Sequence, residues 1–429
     1  MPGTTNNTQR NGYALPLIMI CILFFVFGFI TWANSTLIPF FKMSFSLSDT
    51  QAFFVTFASY IAYFFLALPA SVILKKVGFK NGLSLGLIVL ALGSIIFIPA
   101  AKSHSYALFL TGIFIQGAAL AILQTAANPY LTIIGPIESA AQRISIAGVC
   151  NKGAGIIVPL IMGSLFMANS SNIESQLKVA NAEERIALLN ETLSRVNVPY
   201  ITLAVIFILL AIVFKIVHLP EVEEEKETID ISSEKLHQKT SIFQFPHLFL
   251  GALCIFFCVA AEVMAGDLIG PYGRELSLDP SKTVYLTSVT LSCMLIGYFI
   301  GIVCIPRFIS QQKMLIICTV VGMAFSIVSL TTTGNTSILF IGLLGLANSL
   351  MWPAIFPLGI QGLGKFTKTG SAIMIMGIAG GAIWPLFYAT LKEKFHIHFQ
   401  LAYFIAIVIC YLYILYFAVK GHKAGQKTS

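Results

Sequence analysis

The chain has 429 residues, of which 57% are hydrophobic and only 10% are charged, and its net charge is +8. Soluble domains carry about 25% charged residues, so a soluble fold of this composition would leave too much apolar surface in water. The basic residues are spread over short loops instead of forming one stripe, which argues against a nucleic-acid partner. The composition therefore predicts a protein embedded in a lipid bilayer.

Twelve apolar segments follow one another along the chain, each long enough to cross a hydrocarbon layer about 30 Å thick. Segments 1–6 cover 14–40, 52–74, 82–100, 105–133, 144–167 and 199–218, and segments 7–12 cover 247–271, 283–305, 314–333, 336–362, 371–391 and 399–419. An acidic stretch with few apolar residues separates the two groups. We therefore predict an all-α membrane protein with an N-terminal half (1–218), a linker (219–245) and a C-terminal half (246–429).

Lysine and arginine are divided unevenly between the loops on the two sides. The termini, the linker and the turn with Lys75, Lys76 and Lys80 carry the excess, so the positive-inside rule places both termini in the cytoplasm. The longest loop on the other side, 168–198, alternates acidic and apolar residues. That pattern predicts one amphipathic helix outside the bilayer.

The two halves also resemble each other. From Tyr63 and again from Gly297, small residues, a proline, a basic turn and an apolar run occur in the same order. Prolines lie deep in segments 4 and 10, at Pro129, Pro353 and Pro357. Two parallel six-helix repeats around an axis normal to the membrane, with a substrate bound between them, would produce this pattern.

Polar side chains inside membrane spans are costly, so each is a candidate for function. Amides and hydroxyls can donate to and accept from sugar hydroxyls, and an aromatic ring can cover the apolar face of a pyranose. The alternative is that the amides join helices and the aromatic rings pack in the core or at the membrane interface. The candidates for substrate binding are Trp32, Asn34, Ser35, Gln124, Thr125, Asn128, Asn151, Asn348, Trp352 and Trp384.

Three charged side chains lie within the segments: Lys152, Glu262 and Asp267. Glu262 is the deeper acid, whereas Asp267 lies nearer the outer end and could be solvated. The two acids are five residues apart, so they point about 140° apart on a helix and are not expected to pair. Lys152 could snorkel to the interface or pair with Glu262, and both roles remain open.

No arrangement typical of an enzyme occurs. The histidines lie in loops or at segment ends, and no histidine, cysteine or carboxylate cluster has metal-ligand spacing. All eight cysteines lie in apolar segments without a CxxC pair, which predicts buried free thiols. We expect no cofactor beyond a coupling ion, either H⁺ or Na⁺.

Several blocks resemble the fucose/glucose/galactose permease branch of the major facilitator superfamily: WANSTLIPFF from Trp32, LKKVGFKNG from Leu74, LQTAANPYLTIIGPIESAAQRISI from Leu123 and PAIFPLGIQGLG from Pro353. The similarity covers essentially the whole chain and looks closest to the N-acetylglucosamine transporters of that branch. It implies a cation-coupled importer of a hexose or hexose derivative in a bacterial inner membrane. We expect the protein to act as a monomer. The family's site positions would map onto Asn34, Ser35, Gln124, Asn128 and Asn151.

The chain departs from this pattern at two positions. Fucose symporters of the branch have an aspartate where this chain has Ser35 and a glutamate where it has Gln124, while glucose/galactose members keep only the aspartate. The remaining acids are Glu262 and Asp267, so we expect Glu262 to carry cation coupling, with Asp267 secondary and Lys152 as a switching partner. Glucose, galactose or N-acetylglucosamine is the expected sugar. The alternatives are an L-fucose–proton symporter and an exporter of another small polar solute.

Overall fold

The structure is a computed structural model that describes residues 14–133, 136–166, 180–217, 241–278, 283 and 285–425. Over these residues the chain is helical and contains eleven candidate membrane spans, judged by their length and hydropathy. The predicted all-α membrane class is therefore confirmed. Most of the predicted linker, including its acidic run, lies outside the described residues. Residues 1–13 of the N-terminal half lie outside them as well.

Six longer helices and two short ones make up most of the described N-terminal half. In chain order the longer helices are α1 (Ala14–Phe45), α2 (Phe54–Ile95), α3 (Tyr106–Ile133), α4 (Ala140–Phe166), α5 (Ala182–Ser194) and α6 (Asn197–Ile216). Two short helices, Asp49–Ala52 and Phe97–Lys102, lie before and after α2.

The described C-terminal half contains more helix breaks. Its helices are α7 (Pro246–Gly266), α8 (Leu286–Cys304), α9 (Gln311–Thr331), α10 (Gly334–Asn348), α11 (Met351–Ile360), α12 (Thr367–Met376), α13 (Gly380–Glu393) and α14 (Phe399–Val419). A short helix, Ile269–Glu275, follows α7 after a break at residues 267–268. We call the end of the bundle at which α6 ends and α7 begins the linker side, and the opposite end the far side.

Most of segments 2 and 3 lies in α2, which is interrupted at Gly78. This glycine has φ 80° and ψ 166°, a conformation that side chains with a Cβ rarely adopt, and it lies within the basic turn predicted from sequence. The candidate span around it, Phe54–Lys102, has 49 residues, or about 73 Å of helix, which is enough to cross a bilayer twice. The interruption thus falls within the turn that the sequence predicts between segments 2 and 3.

Segment 10 is divided into α10 and α11 at Ser349 and Leu350. Pro353 explains the division, because a proline has no N–H to donate four residues back and its ring crowds that carbonyl. Helix α11 is short and apolar, and it places Trp352 next to the boundary between the two halves.

The helix predicted in loop 168–198 is present as α5, which covers only the second part of that loop. The Asn181 side chain accepts from the Glu184 backbone N–H at 2.9 Å, and the Glu184 carboxylate accepts from the Asn181 N–H at 3.1 Å. This capping box satisfies two backbone donors that otherwise lack partners at a helix start. Residues 167–179 lie outside the described part of the chain.

The two halves make polar contacts with each other at the linker side. Lys75 Nζ donates to Thr369 Oγ1 at 2.9 Å, Gln142 Nε2 donates to the Ile302 carbonyl at 2.7 Å, and Gln311 Nε2 donates to the Ile137 carbonyl at 3.1 Å. These three bonds connect the turns and helix ends of one half to those of the other. They hold the interface closed at this end of the bundle.

Candidate functional site

A cavity lies between the halves near the middle of the bundle, and both halves line it. The N-terminal half contributes Phe24, Phe27, Thr31, Trp32, Tyr60, Tyr63, Gln124, Ile144, Gly148, Asn151 and Lys152, and the C-terminal half contributes Val259, Glu262, Tyr298, Trp352 and Ile378. Its space amounts to about 690 Å³, including the open mouth. A small number of polar groups among aromatic and aliphatic side chains is typical of a small-molecule site.

An ion pair joins the two halves inside this cavity. Lys152 Nζ on α4 donates to Glu262 Oε1 on α7, and only 6% of the lysine and 18% of the glutamate side chain are exposed. Lys152 Nζ also lies 5.3 Å from the centroid of the Trp32 ring, within range of a cation–π interaction. The sequence left two roles open for Lys152, and in this conformation it pairs with Glu262.

Two amides face the cavity with an acceptor oxygen available. Gln124 Nε2 donates to the Tyr63 hydroxyl at 2.9 Å, and Asn151 Nδ2 donates to the Phe24 carbonyl at 3.1 Å. These bonds use one donor of each amide and fix its orientation. Neither amide oxygen has a hydrogen-bond partner among the described residues, so each can accept from a ligand hydroxyl.

Tyrosines that the sequence analysis did not single out complete the polar lining. Tyr60, Tyr63 and Tyr298 all line the cavity, and the rings of Tyr60 and Tyr63 are stacked at 6.5 Å. Tyr298 packs against Gly148 so closely that a Cβ added there would lie 2.5 Å from its ring. Tyr298 lies in an apolar segment nine residues before Arg307, and no feature of the sequence distinguishes it from other tyrosines in such segments.

Two predicted site residues of the N-terminal half, Asn34 and Asn128, are buried outside the cavity lining. Asn34 is 2% exposed and lies on the face of α1 that turns towards α3, because Phe41, seven residues further along, packs on Phe109 of α3 at 4.7 Å. Asn128 is 1% exposed, and its Nδ2 donates back to the Gln124 carbonyl at 3.0 Å. Gln124 therefore lines the cavity while Asn128, one turn away, does not, and a role of Asn128 in substrate binding stays a prediction.

Two predicted residues of the C-terminal half join helices instead of facing the cavity. Asn348 donates to the Ala261 carbonyl at 3.1 Å and accepts from the Tyr411 hydroxyl at 2.9 Å, which ties α10 to α7 and α14. Trp384 donates to the Ala406 carbonyl at 2.9 Å, and its ring packs on Phe257 at 5.2 Å. The polar groups of both side chains are therefore hydrogen-bonded within the C-terminal half.

Thr125 of α3 also forms a hydrogen bond within its own half. Its hydroxyl donates to the Ala121 carbonyl of the same helix at 2.6 Å.

Asp267 and Ser35 lie together beyond the far-side wall of the cavity. The Trp32 ring packs against Gly266, which precedes Asp267, and the Ser35 hydroxyl lies beside the Asp267 carboxylate. Both carboxylate oxygens are shielded from solvent, contrary to the expectation that Asp267 could be solvated. The position at which this chain departs from the fucose symporters is thus next to an acid from the other half.

No group of three or more histidine, cysteine, aspartate or glutamate side chains that could hold a metal ion occurs within the described ranges. The eight cysteines are free thiols.

Comparison with known proteins gives relatives that span nearly the whole chain. The glucose/galactose transporter of Brucella abortus biovar 1 (strain 9-941) is 34% identical over 426 residues, which cover 99% of this chain and 98% of the relative. The L-fucose-proton symporter of Escherichia coli (strain K12) is 31% identical over 382 residues, covering 87% of this chain and 86% of the relative.

Solved structures agree with these relatives. The crystal structure of the major facilitator transporter FucP in the outward conformation superposes with a TM-score of 0.79 at 28% identity, covering 97% of this chain and all of that one. The proton:xylose symporter XylE shares the fold, with a TM-score of 0.70 at 13% identity. The sequence profile of the Major Facilitator Superfamily matches residues 20–389. The chain therefore belongs to the major facilitator superfamily.

Proposed function

We propose that this protein is a secondary active transporter that imports a hexose or hexose derivative together with a cation. The observation that carries the proposal is the cavity between the halves, in which two oriented amides and several aromatic rings surround an interhalf ion pair. Relatives named as a glucose/galactose transporter and an L-fucose-proton symporter support a sugar as substrate.

The cavity lining suits a sugar better than a large apolar solute. Gln124 and Asn151 offer acceptor oxygens, the tyrosines offer hydroxyls, and Trp32 and Trp352 offer ring faces for the C–H side of a pyranose. An exporter of apolar compounds would not need this combination. Glucose, galactose and N-acetylglucosamine are the candidate sugars.

Coupling follows from the position of the ion pair. In alternating access, one half rocks against the other around the bound substrate, which changes the distance between Lys152 on α4 and Glu262 on α7. Separating a largely buried ion pair leaves two uncompensated charges, so the motion is costly while both are charged. A cation that neutralises Glu262, either H⁺ or Na⁺, removes part of that cost and so makes the motion depend on cation binding.

The topology we propose has twelve crossings, with α2 crossing twice, both termini in the cytoplasm, and a monomer resident in a bacterial inner membrane. The eleven candidate spans and the interruption at Gly78 support the count. The basic residues near the linker side support the orientation.

The test is uptake of radiolabelled sugar into membrane vesicles, with glucose, galactose, N-acetylglucosamine and L-fucose as competitors. Accumulation above the external concentration that collapses with an ionophore is expected. Absence of accumulation for all four sugars, with the protein present in the membrane, contradicts the proposal. Labelling of single cysteines introduced at Lys75 and at Lys394 from either side of the membrane tests the orientation.

A further inference from the structure

Asp267 lies where α7 breaks, at the boundary between the two halves. Its backbone N–H donates to the Val263 carbonyl at 2.8 Å, and the chain then turns before the short helix Ile269–Glu275 begins. Both side-chain oxygens are shielded, and neither has a hydrogen-bond partner among the described residues. A carboxylate shielded in this way is unfavourable in its charged form unless a positive charge or hydrogen-bond donors compensate it.

Two other helices, α1 and α8, contribute hydroxyl groups around the turn that carries this carboxylate. The Ser35 hydroxyl is beside it, and that hydroxyl makes only a long bond of 3.4 Å to the Thr31 carbonyl. Helix α8 lies against the same turn, because Thr287 Oγ1 donates to the Gly266 carbonyl at 2.8 Å. The next residue, Ser288, also has a shielded hydroxyl without a partner among the described residues.

The charges around Asp267 do not balance. The charged side chains within electrostatic range of it are Glu262 and Lys152, and the nearby Tyr60 is a neutral phenol. Because Lys152 is already paired with Glu262, the three groups carry one net negative charge whenever Asp267 is ionised. In a region of low dielectric, one additional monovalent cation restores neutrality at much lower cost than an isolated carboxylate.

We propose that Asp267 and Ser35 hold a monovalent cation at the interface of the two halves, on the far side of Trp32 and separate from the Lys152–Glu262 pair. The inference rests on the proposed cation-coupled transport and names where the cation is held while that pair is intact. Carboxylate, hydroxyl and broken-helix oxygens are ligands suited to Na⁺, and the carboxylate alone can take a proton.

The experiment uses the purified full-length protein in detergent without sugar. Tryptophan fluorescence and thermal melting are followed while NaCl replaces choline chloride at constant ionic strength. Trp32, one of three tryptophans, contacts Gly266 and should report the site. We expect a saturable Na⁺ response whose apparent Kd rises at least about tenfold in Asp267→Asn. The infrared carbonyl band of a protonated carboxylic acid, lost in Asp267→Asn, would instead identify a proton as the occupant, which also supports the site.

Two control variants separate this site from the ion pair. The double variant Lys152→Met/Glu262→Gln removes the ion pair and leaves the charge of Asp267 in place. It should therefore lose coupled transport and retain the Na⁺-dependent change in fluorescence and melting temperature. Glu275→Gln removes a half-exposed carboxylate that pairs with Lys392 outside the site, and it should behave like the parent. A Na⁺ response that survives Asp267→Asn overturns the proposal. If that response is lost in the double variant instead, the cation binds at Glu262. Absence of both the Na⁺ response and the acid band in the parent also overturns it. Sugar uptake without accumulation, with cation binding intact, contradicts the transport proposal alone.

Discussion

The substitution Glu262→Gln tests coupling most directly, because it keeps the side-chain shape and removes the charge that pairs with Lys152. Breaking a buried ion pair by removing one partner costs about 3–5 kcal/mol. Glu262 retains 18% side-chain exposure, so the low end, about 3 kcal/mol, is the appropriate estimate for the described conformation. That free energy corresponds to a population change of roughly 140-fold, enough to displace the conformational equilibrium.

The assay compares two transport modes in the same vesicles. Gradient-driven uptake requires cation binding to be coupled to the movement of the halves, whereas counterflow exchanges sugar across vesicles loaded with unlabelled sugar. We expect Glu262→Gln to abolish accumulation against a gradient and to retain counterflow, because glutamine keeps the shape of the cavity wall and the other lining residues are unchanged.

The matched control is Lys152→Met/Glu262→Gln, which replaces the pair by neutral side chains of similar length. Such replacements are often neutral for stability, so this variant should regain the melting temperature lost in Glu262→Gln without regaining accumulation. If Glu262→Gln concentrates sugar like the parent, the reasoning is refuted, and coupling resides in another group or the protein is a uniporter.

Three further predictions concern the cavity and the packing beneath it. Gln124→Ala should raise the apparent KM for sugar by about tenfold, since one hydrogen bond is lost, whereas Asn128→Ala should chiefly lower the melting temperature; equal effects on KM would contradict the placement of the two amides. L-Fucose should compete more weakly than glucose, galactose or N-acetylglucosamine, because Ser35 stands where fucose symporters have an acid; stronger competition by fucose would refute this. Gly28→Ala should cost about 1–3 kcal/mol or more of stability, measured by thermal melting, because its Cβ would lie 2.0 Å from the Asn151 carbonyl oxygen; an unchanged melting temperature would show that α1 and α4 are less closely packed.

Residues of the same type proved to have different positions, and sequence could not separate them. Trp32 lines the cavity, whereas Trp384 packs among phenylalanines and donates to a carbonyl of α14. Gln124 faces the cavity, whereas Asn128, one turn away, bonds to its own helix. Polar and aromatic side chains in a membrane span pack against neighbouring helices of the same half as readily as they face the cavity. Residue type alone therefore does not reveal which face of a helix meets the other half.

The amino-acid sequence by itself determined the membrane class and the family resemblance, and it predicts the two-half organisation and the reversal at the basic turn. These features depend on hydropathy, glycine and proline, and loop charge, which act within about twenty neighbouring residues. Only the tertiary structure decided that Lys152 pairs with Glu262, 110 residues away, and that Asp267 lies beside Ser35. Both contacts form where helices from opposite halves meet, so they depend on helix rotation and packing that no local sequence pattern specifies.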